Sequence, residues 1–297
     1  YRSNFVLSER MGSKPNFYID KNNEDYYVVF IDDANDKNIQ LKKMVHIKET
    51  VSWGGKTKSF DGPGWENCGY VTSQGNADSP QIIVDKDKKI WVAYYNTADK
   101  TIKIRHSETE GCSEASTWVD IAAPILTPEN DFSITISPDN KLLVAYTNSS
   151  KIQIKELDTN EWKDFYITPI NGFNPDIAIN SDGKFGMVYL FKAGNENTIA
   201  FYHQETSPIS INLSGVINPV NPQIVFDNSD TAWLGFLTGG NKKDITLAKF
   251  SSTNGSQSVS FTVGSGYLYN RPRDSFITNY CLLMNDRLNY PMFAFND

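Results

Sequence analysis

Three cysteines and three histidines are spread over 297 residues. That is too few for a disulfide-stapled scaffold, and no Cys-x-x-Cys or Cys/His spacing of a zinc site occurs. No apolar run is long enough to cross a bilayer as a helix. Lysine and arginine total 28 against 35 acidic residues, a formal net charge of −7. A nucleic-acid surface needs clustered basic residues, which this chain lacks. Phosphate loops, dinucleotide fingerprints and the Gly-x-Ser-x-Gly elbow are missing too, so no cofactor is implied. No Pro/Gly/Ser-rich linker interrupts the chain, and a single domain over 1–297 is expected. No signal peptide is visible, and a start at Tyr1 fits a mature or trimmed form.

What is present is repetition. Ser79-Pro80-Gln81 opens a strand, a polar turn and a second strand, running to Tyr94. Lys14-Pro15-Asn16, Asn174-Pro175-Asp176 and Asn221-Pro222-Gln223 open the same pattern. Asp131-Phe132-Ser133 and Arg273-Asp274-Ser275 open it without proline, so copies start near 15, 80, 132, 175, 222 and 274. Each copy holds a β-type run such as Ile177-Ala178-Ile179, a turn such as Asn180-Ser181-Asp182-Gly183, and an apolar strand such as Met187-Val188-Tyr189. An alternating third strand follows, as in Ile152-Gln153-Ile154-Lys155, then a more polar fourth, as in Asp164-Phe165-Tyr166-Ile167.

Four strands per copy, graded from buried to wet at a period of roughly 40–50 residues, mark an all-β fold of propeller type. Six blades are expected. The sixth copy is short, so the strand Asn4-Phe5-Val6-Leu7 is expected to pair beside Met292–Phe295 and close the ring. Residues 51–79, rich in glycine and proline, are expected to form a long loop. Cys68 and Cys112 flank the second copy; a bridge that leaves Cys281 over and three free thiols both fit.

In a propeller the starting ends of the innermost strands gather at one mouth. The residues just before the repeated proline position are Lys14, Ser79, Asp131, Asn174, Asn221 and Arg273. Trp65, Tyr70, Phe173, Tyr267 and Tyr269 are expected in adjoining loops. Flat rings beside amides and charges suit a sugar, whose C–H faces stack while its hydroxyls bond. The same residues also fit ordinary turn chemistry. If the protein is an enzyme, Asp78, Asp131 and Asp274 are the carboxylates available as an acid/base pair. Asp32 and Asp33 are adjacent on a strand and point to opposite faces. Asp85 and Asp87 hint at calcium without a full ligand loop, so no metal is assigned. His46, His106 and His203 fall in different blades.

The strand, Asp/Asn turn, strand unit resembles the blades of the sialidase-like six-bladed propellers. Ser137-Pro138-Asp139-Asn140 and Ser181-Asp182-Gly183 resemble the Asp-box turn of that family. The resemblance is one of architecture. The family's three-arginine clamp has no clear match among Arg2, Arg10, Arg105, Arg271, Arg273 and Arg287. The leading expectation is a secreted or cell-surface recognition propeller, lectin-like and leaning non-enzymatic. It would bind a glycan or a surface protein at its mouth, without inserting into membrane. The alternative is a propeller-type glycoside hydrolase or lyase.

Overall fold

The computed structural model describes residues 12–20, 25–53, 56–73, 75–112, 117–121, 124–127, 129–158, 160–204, 209–211, 218–237, 245–251, 257–263, 279–285 and 290–296. The fold is an all-β propeller. The chain divides into two compact units, 1–99 with 103–121 and 100–102 with 122–297.

In the first unit, β1 (Gly12–Asp20), β2 (Asp25–Asp32), β3 (Asn38–Trp53) and β4 (Lys56–Tyr70) form one blade in that order. The second blade is β5 (Ala77–Val84), β6 (Ile90–Asn96), β7 (Thr101–Ser107) and β8 (Trp118–Asp120). Thr101 and Ile102 also pair with β9 (Ile125–Leu126).

In the second unit, β10 (Phe132–Ile136), β11 (Leu142–Asn148), β12 (Lys151–Asp158) and β13 (Glu161–Ile167) form the third blade. The fourth is β14 (Phe173–Ile179), β15 (Phe185–Ala193), β16 (Glu196–His203) and β17 (Ile209–Ile211). The fifth is β18 (Val220–Phe226), β19 (Thr231–Leu237), β20 (Ile245–Ser251) and β21 (Gln257–Val263). β22 (Asn279–Asn285) and β23 (Tyr290–Asn296) make a two-stranded sheet.

The count of six blades is therefore corrected to five. Beyond β21 the described residues supply only one hairpin, Asn279–Asn285 with Tyr290–Asn296, and the run at 276–278 lies outside them. The expected pairing of residues 4–7 lies outside the described residues.

Each second strand carries an unbroken apolar run because both of its faces are covered. On β15, Met187 and Tyr189 join a core with Ile152 and Ile154 of the third blade. Val188 and Leu190, on the opposite face, join one with Ile224, Leu234 and Phe236 of the fifth. Burying each such side chain contributes about 1.5–3 kcal/mol. In the first unit, Val29, Ile39 and Leu41 meet Ile82, Val84, Ile90 and Val92 in the same way.

Residues 56–70, expected as loop, form β4. It pairs with β3 from Gln40–Tyr70 out to Trp53–Lys56. Glycine and proline are tolerated there because β4 is an outermost strand, where a missing N–H faces solvent. Gly64 has a packing reason as well, since a Cβ would lie 2.0 Å from Ile47 Cδ1.

The turns after the inner strands share one device. Asp85 Oδ1 accepts the Lys89 N–H at 2.9 Å, and Asp85 Oδ2 accepts the Trp91 indole N–H at 2.8 Å. Asp227 repeats this with Thr231 N at 3.0 Å and Trp233 Nε1 at 3.0 Å. Among the described residues Ser137 Oγ and Asn180 Oδ1 accept the turn N–H alone, from Lys141 and Lys184. Both Asp85 oxygens thus serve its own hairpin. Burial alone would raise the Asp227 carboxyl, but the donations from Trp233, Thr231 and Ser229 outweigh it and hold it below the usual range.

Cys68 and Cys112 are bridged and sit in the core of the first unit. With a sequence separation of 44, the bond removes unfolded-chain entropy worth about 4 kcal/mol. Cys68→Ala with Cys112→Ala is expected to cost about 2–4 kcal/mol in urea denaturation. Asp227→Ala is expected to cost about 1–3 kcal/mol by the same assay, and Trp233 fluorescence should shift as its indole loses its acceptor.

Candidate functional site

The proline of each repeat marks a bulge. Lys14, Ser79, Asn174 and Asn221 all have φ near +50°. At each of them the inner-strand register slips, between Ser13 and Asn16, Asp78 and Gln81, Phe173 and Asp176, and Val220 and Gln223. Proline cannot donate to the ladder, so the strand bulges around it. The preceding residue takes the left-handed conformation, which costs a non-glycine residue about 1–2 kcal/mol. β10 has no proline, and its register is regular.

In the first unit these residues are tied up. Lys14 Nζ is ion-paired with Asp78 Oδ1, and Ser79 Oγ donates to the same oxygen at 3.2 Å. Burial would raise the Asp78 carboxyl, but Lys14 and Ser79 together hold it below its ordinary value. Trp65 and Tyr70 stand on the outermost strand, β4, and not in a loop. The Trp65 ring lies 6.4 Å from that of Phe17, and the Tyr70 hydroxyl donates to Asp32 Oδ2 at 2.8 Å. Asp32 also accepts the Ala34 N–H and is buried, so it is no partner for Asp33 in acid/base work.

The second unit brings Asp131, Phe173 and Asn174 together. Asp131 immediately precedes β10. Its Oδ2 accepts the Asn174 N–H at 2.5 Å and the Thr147 hydroxyl at 2.8 Å. Both donors fall on one oxygen, and Oδ1 takes no bond among the described residues. Burial pushes the Asp131 carboxyl up to about 6, against the pull of Asn174 and Thr147. Asn221 stands at the matching place on β18. Tyr267, Tyr269, Arg273 and Asp274 lie outside the described residues.

Three contributors were not singled out from sequence. Thr147 is the penultimate residue of the second strand of the third blade and gave no signal. Asp176 follows Pro175. Its Oδ1 accepts the Ser133 hydroxyl at 2.6 Å and its Oδ2 accepts the Ile224 N–H at 2.7 Å. Burial raises it to about 6 as well, although Ser133, Ile224 and Ile177 donate to it. Lys192 Nζ sits 6.0 Å above the Phe173 ring.

The histidines do not meet at a site. His46 Nε2 pairs with Asp61 at 2.5 Å on the long hairpin, His106 Nδ1 lies 2.8 Å from the Ser107 carbonyl, and His203 sits edge-on to Phe226. Among the described residues no three His, Cys, Asp or Glu side chains gather as a metal site. No helix among the described residues is long and apolar enough to cross a membrane.

No protein-family model matches the chain, and no curated protein does. Solved structures do match, at low identity. Two structures of an exo-β-1,3-galactanase from Phanerochaete chrysosporium, one with galactose, align with TM-scores of 0.52 and 0.53 at 11% identity. They cover 83% and 95% of this chain, which spans 62% and 66% of theirs. A protein of unknown function from Dyadobacter fermentans aligns with a TM-score of 0.58 at 10% identity, covering 85% and 82% of the two chains. A GH43_1 enzyme from Xanthomonas citri complexed with xylotriose aligns with a TM-score of 0.50 at 11% identity, covering 85% and 91%. The likeness establishes the propeller fold. It does not single out the sialidase-like superfamily.

The two raised carboxyls in the second unit give a pH dependence of known sign. Asp176 has an ordinary value of 3.8 and titrates near 6 when folded. Between those values the folded state binds more protons than the unfolded one, so stability falls as pH rises through that window and is flat above it. Asp176→Asn can accept from Ile224 and donate to Ser133. It is expected to raise the melting temperature at pH 7.5 by removing a penalty of roughly 2–3 kcal/mol, and to raise it little at pH 4. Thermal melts of both proteins across pH 4–8 measure this.

Proposed function

We propose that the protein is a glycan-processing propeller of the glycoside-hydrolase kind, with Asp131 as its proton donor. This prefers the hydrolase alternative over a non-enzymatic recognition protein. The observation that carries it is the Asp131 carboxyl. Two donors hold one of its oxygens in place, and the other is open to carry and release a proton. A general acid that protonates a glycosidic oxygen needs a pKa raised toward the working pH, and burial supplies that here. The solved neighbours support the reading, since the galactanase was captured with galactose and the GH43_1 enzyme with xylotriose. Phe173 supplies a ring, and the bulge residues Asn174 and Asn221 supply amides for sugar hydroxyls. A secreted or surface location is part of the proposal, because a bridged Cys68–Cys112 pair persists in an oxidising compartment.

One observation favours a second reading. The first unit's Asp78 is locked to Lys14, as in a site built to bind and not to react. A glycan-recognition propeller would show binding without turnover.

Incubation with β-1,3-galacto-, xylo- and arabino-oligosaccharides, followed by product chromatography, separates the two. Turnover is expected, with Asp131→Asn lowering it by about 10²–10⁴-fold. Wild-type activity should fall as pH rises past about 6, where Asp131 loses its proton. Binding with no product from any member would replace the hydrolase by the recognition protein.

A further inference from the structure

On the reading that the second unit handles a glycan, we propose that the sugar seated beside Phe173 carries a carboxylate, so that the ligand is a uronic-acid-containing glycan.

The tripeptide Gly172-Phe173-Asn174 is a hub at one end of this unit. Gly172 N–H donates to the Ser150 carbonyl at 2.8 Å, which brings the hairpin carrying Lys151 alongside. A Cβ at Gly172 would stand 2.7 Å from the Tyr189 ring, so only glycine allows this approach. The Phe173 ring lies beneath the Lys192 ammonium, and the Asn174 N–H grips Asp131. The Lys192 ammonium, the Phe173 ring and Asp131 therefore share one neighbourhood, with the start of the Lys151 strand tied to it through Ser150.

Lys151 and Lys192 are set up differently from three other lysines. Lys155 has Asp164 across the strand pair and bonds it at 2.6 Å. Lys43 bonds Asp25 at 2.7 Å and Lys141 bonds Glu156 at 3.0 Å. Opposite Lys151 stands Asn148, and opposite Lys192 stands Asn197. Among the described residues neither lysine has a carboxylate partner. A chain of net charge −7 has acidic residues in excess, so an unneutralised lysine beside one aromatic ring leaves positive charge for a ligand to meet. A uronate satisfies both parts of the arrangement: its ring face stacks on Phe173 and its carboxylate takes charge-assisted bonds from the Lys192 ammonium. A neutral sugar uses only the ring.

Calorimetric titration tests this with galacturonic-, glucuronic- and mannuronic-acid oligomers, each paired with its carboxyl-reduced, neutral counterpart. At least one acid form is expected to bind about threefold to tenfold more tightly than its reduced form. Lys192→Gln should abolish that difference, Lys192→Arg should keep it, and added salt should shrink it. Both lysines are exposed, so the variants are expected to fold as the parent does. If reduced and acid forms bind equally, or if Lys192→Gln leaves the preference intact, the uronate assignment is overturned while the glycan reading stands. If neither form of any oligomer binds, the glycan reading itself is overturned, and this inference with it.

Discussion

A polar side chain one residue past the repeated proline position reaches across to the inner strand of the next blade. Asn16 accepts the Ile82 N–H at 3.1 Å, Asp176 accepts that of Ile224 at 2.7 Å, and Gln223 accepts that of Leu282 at 2.5 Å. Ser133 does the same for Ile177 at 3.3 Å while donating to Asp176. Each inner strand is the open edge of its sheet, and the captured N–H would otherwise have no ladder partner. The same contact thus satisfies an edge and fixes the stagger between neighbouring blades. Apolar burial between blades is larger in energy but carries no register, because Val, Ile and Leu cores tolerate small slides. The polar link supplies the register.

That link explains why the bulges matter. A bulge adds a residue, bends the strand and lifts its starting end out of the regular ladder. The left-handed residue and its neighbours are then released from pairing and can serve as a site. In the second unit the freed Asn174 N–H binds Asp131, and the carboxyl gains its position from the same irregularity that costs the backbone energy. Strain of this sort is kept where surrounding structure determines it, and here the proline and the interblade bond do so from both sides.

Much of this was legible in the chain. Second strands such as Leu143-Val144-Ala145-Tyr146 are apolar without a break, and only burial on both faces explains that. Third and fourth strands followed from alternation and growing polarity. What misled were signals with two physical meanings. Gly62, Pro63 and Gly64 read as loop because glycine and proline break structure, yet on an outermost strand they fit solvent on one side and the Ile47 side chain on the other. The Gln223–Leu282 bond places Tyr280 where other copies have proline, a position that no proline marks in the sequence. Lysine placement was invisible, since whether a cation is neutralised depends on which residue stands opposite it in a register that the sequence does not print.

The bond between Cys68 and Cys112 has a further consequence for handling the protein. It ties the outermost strand of the first blade to the segment that follows β7 in the second. A protease that cuts once between these two positions would yield fragments that still travel together through a sizing column. They would come apart only after a thiol is added and the sheets are loosened, so an intact-looking peak is no proof of an uncut chain.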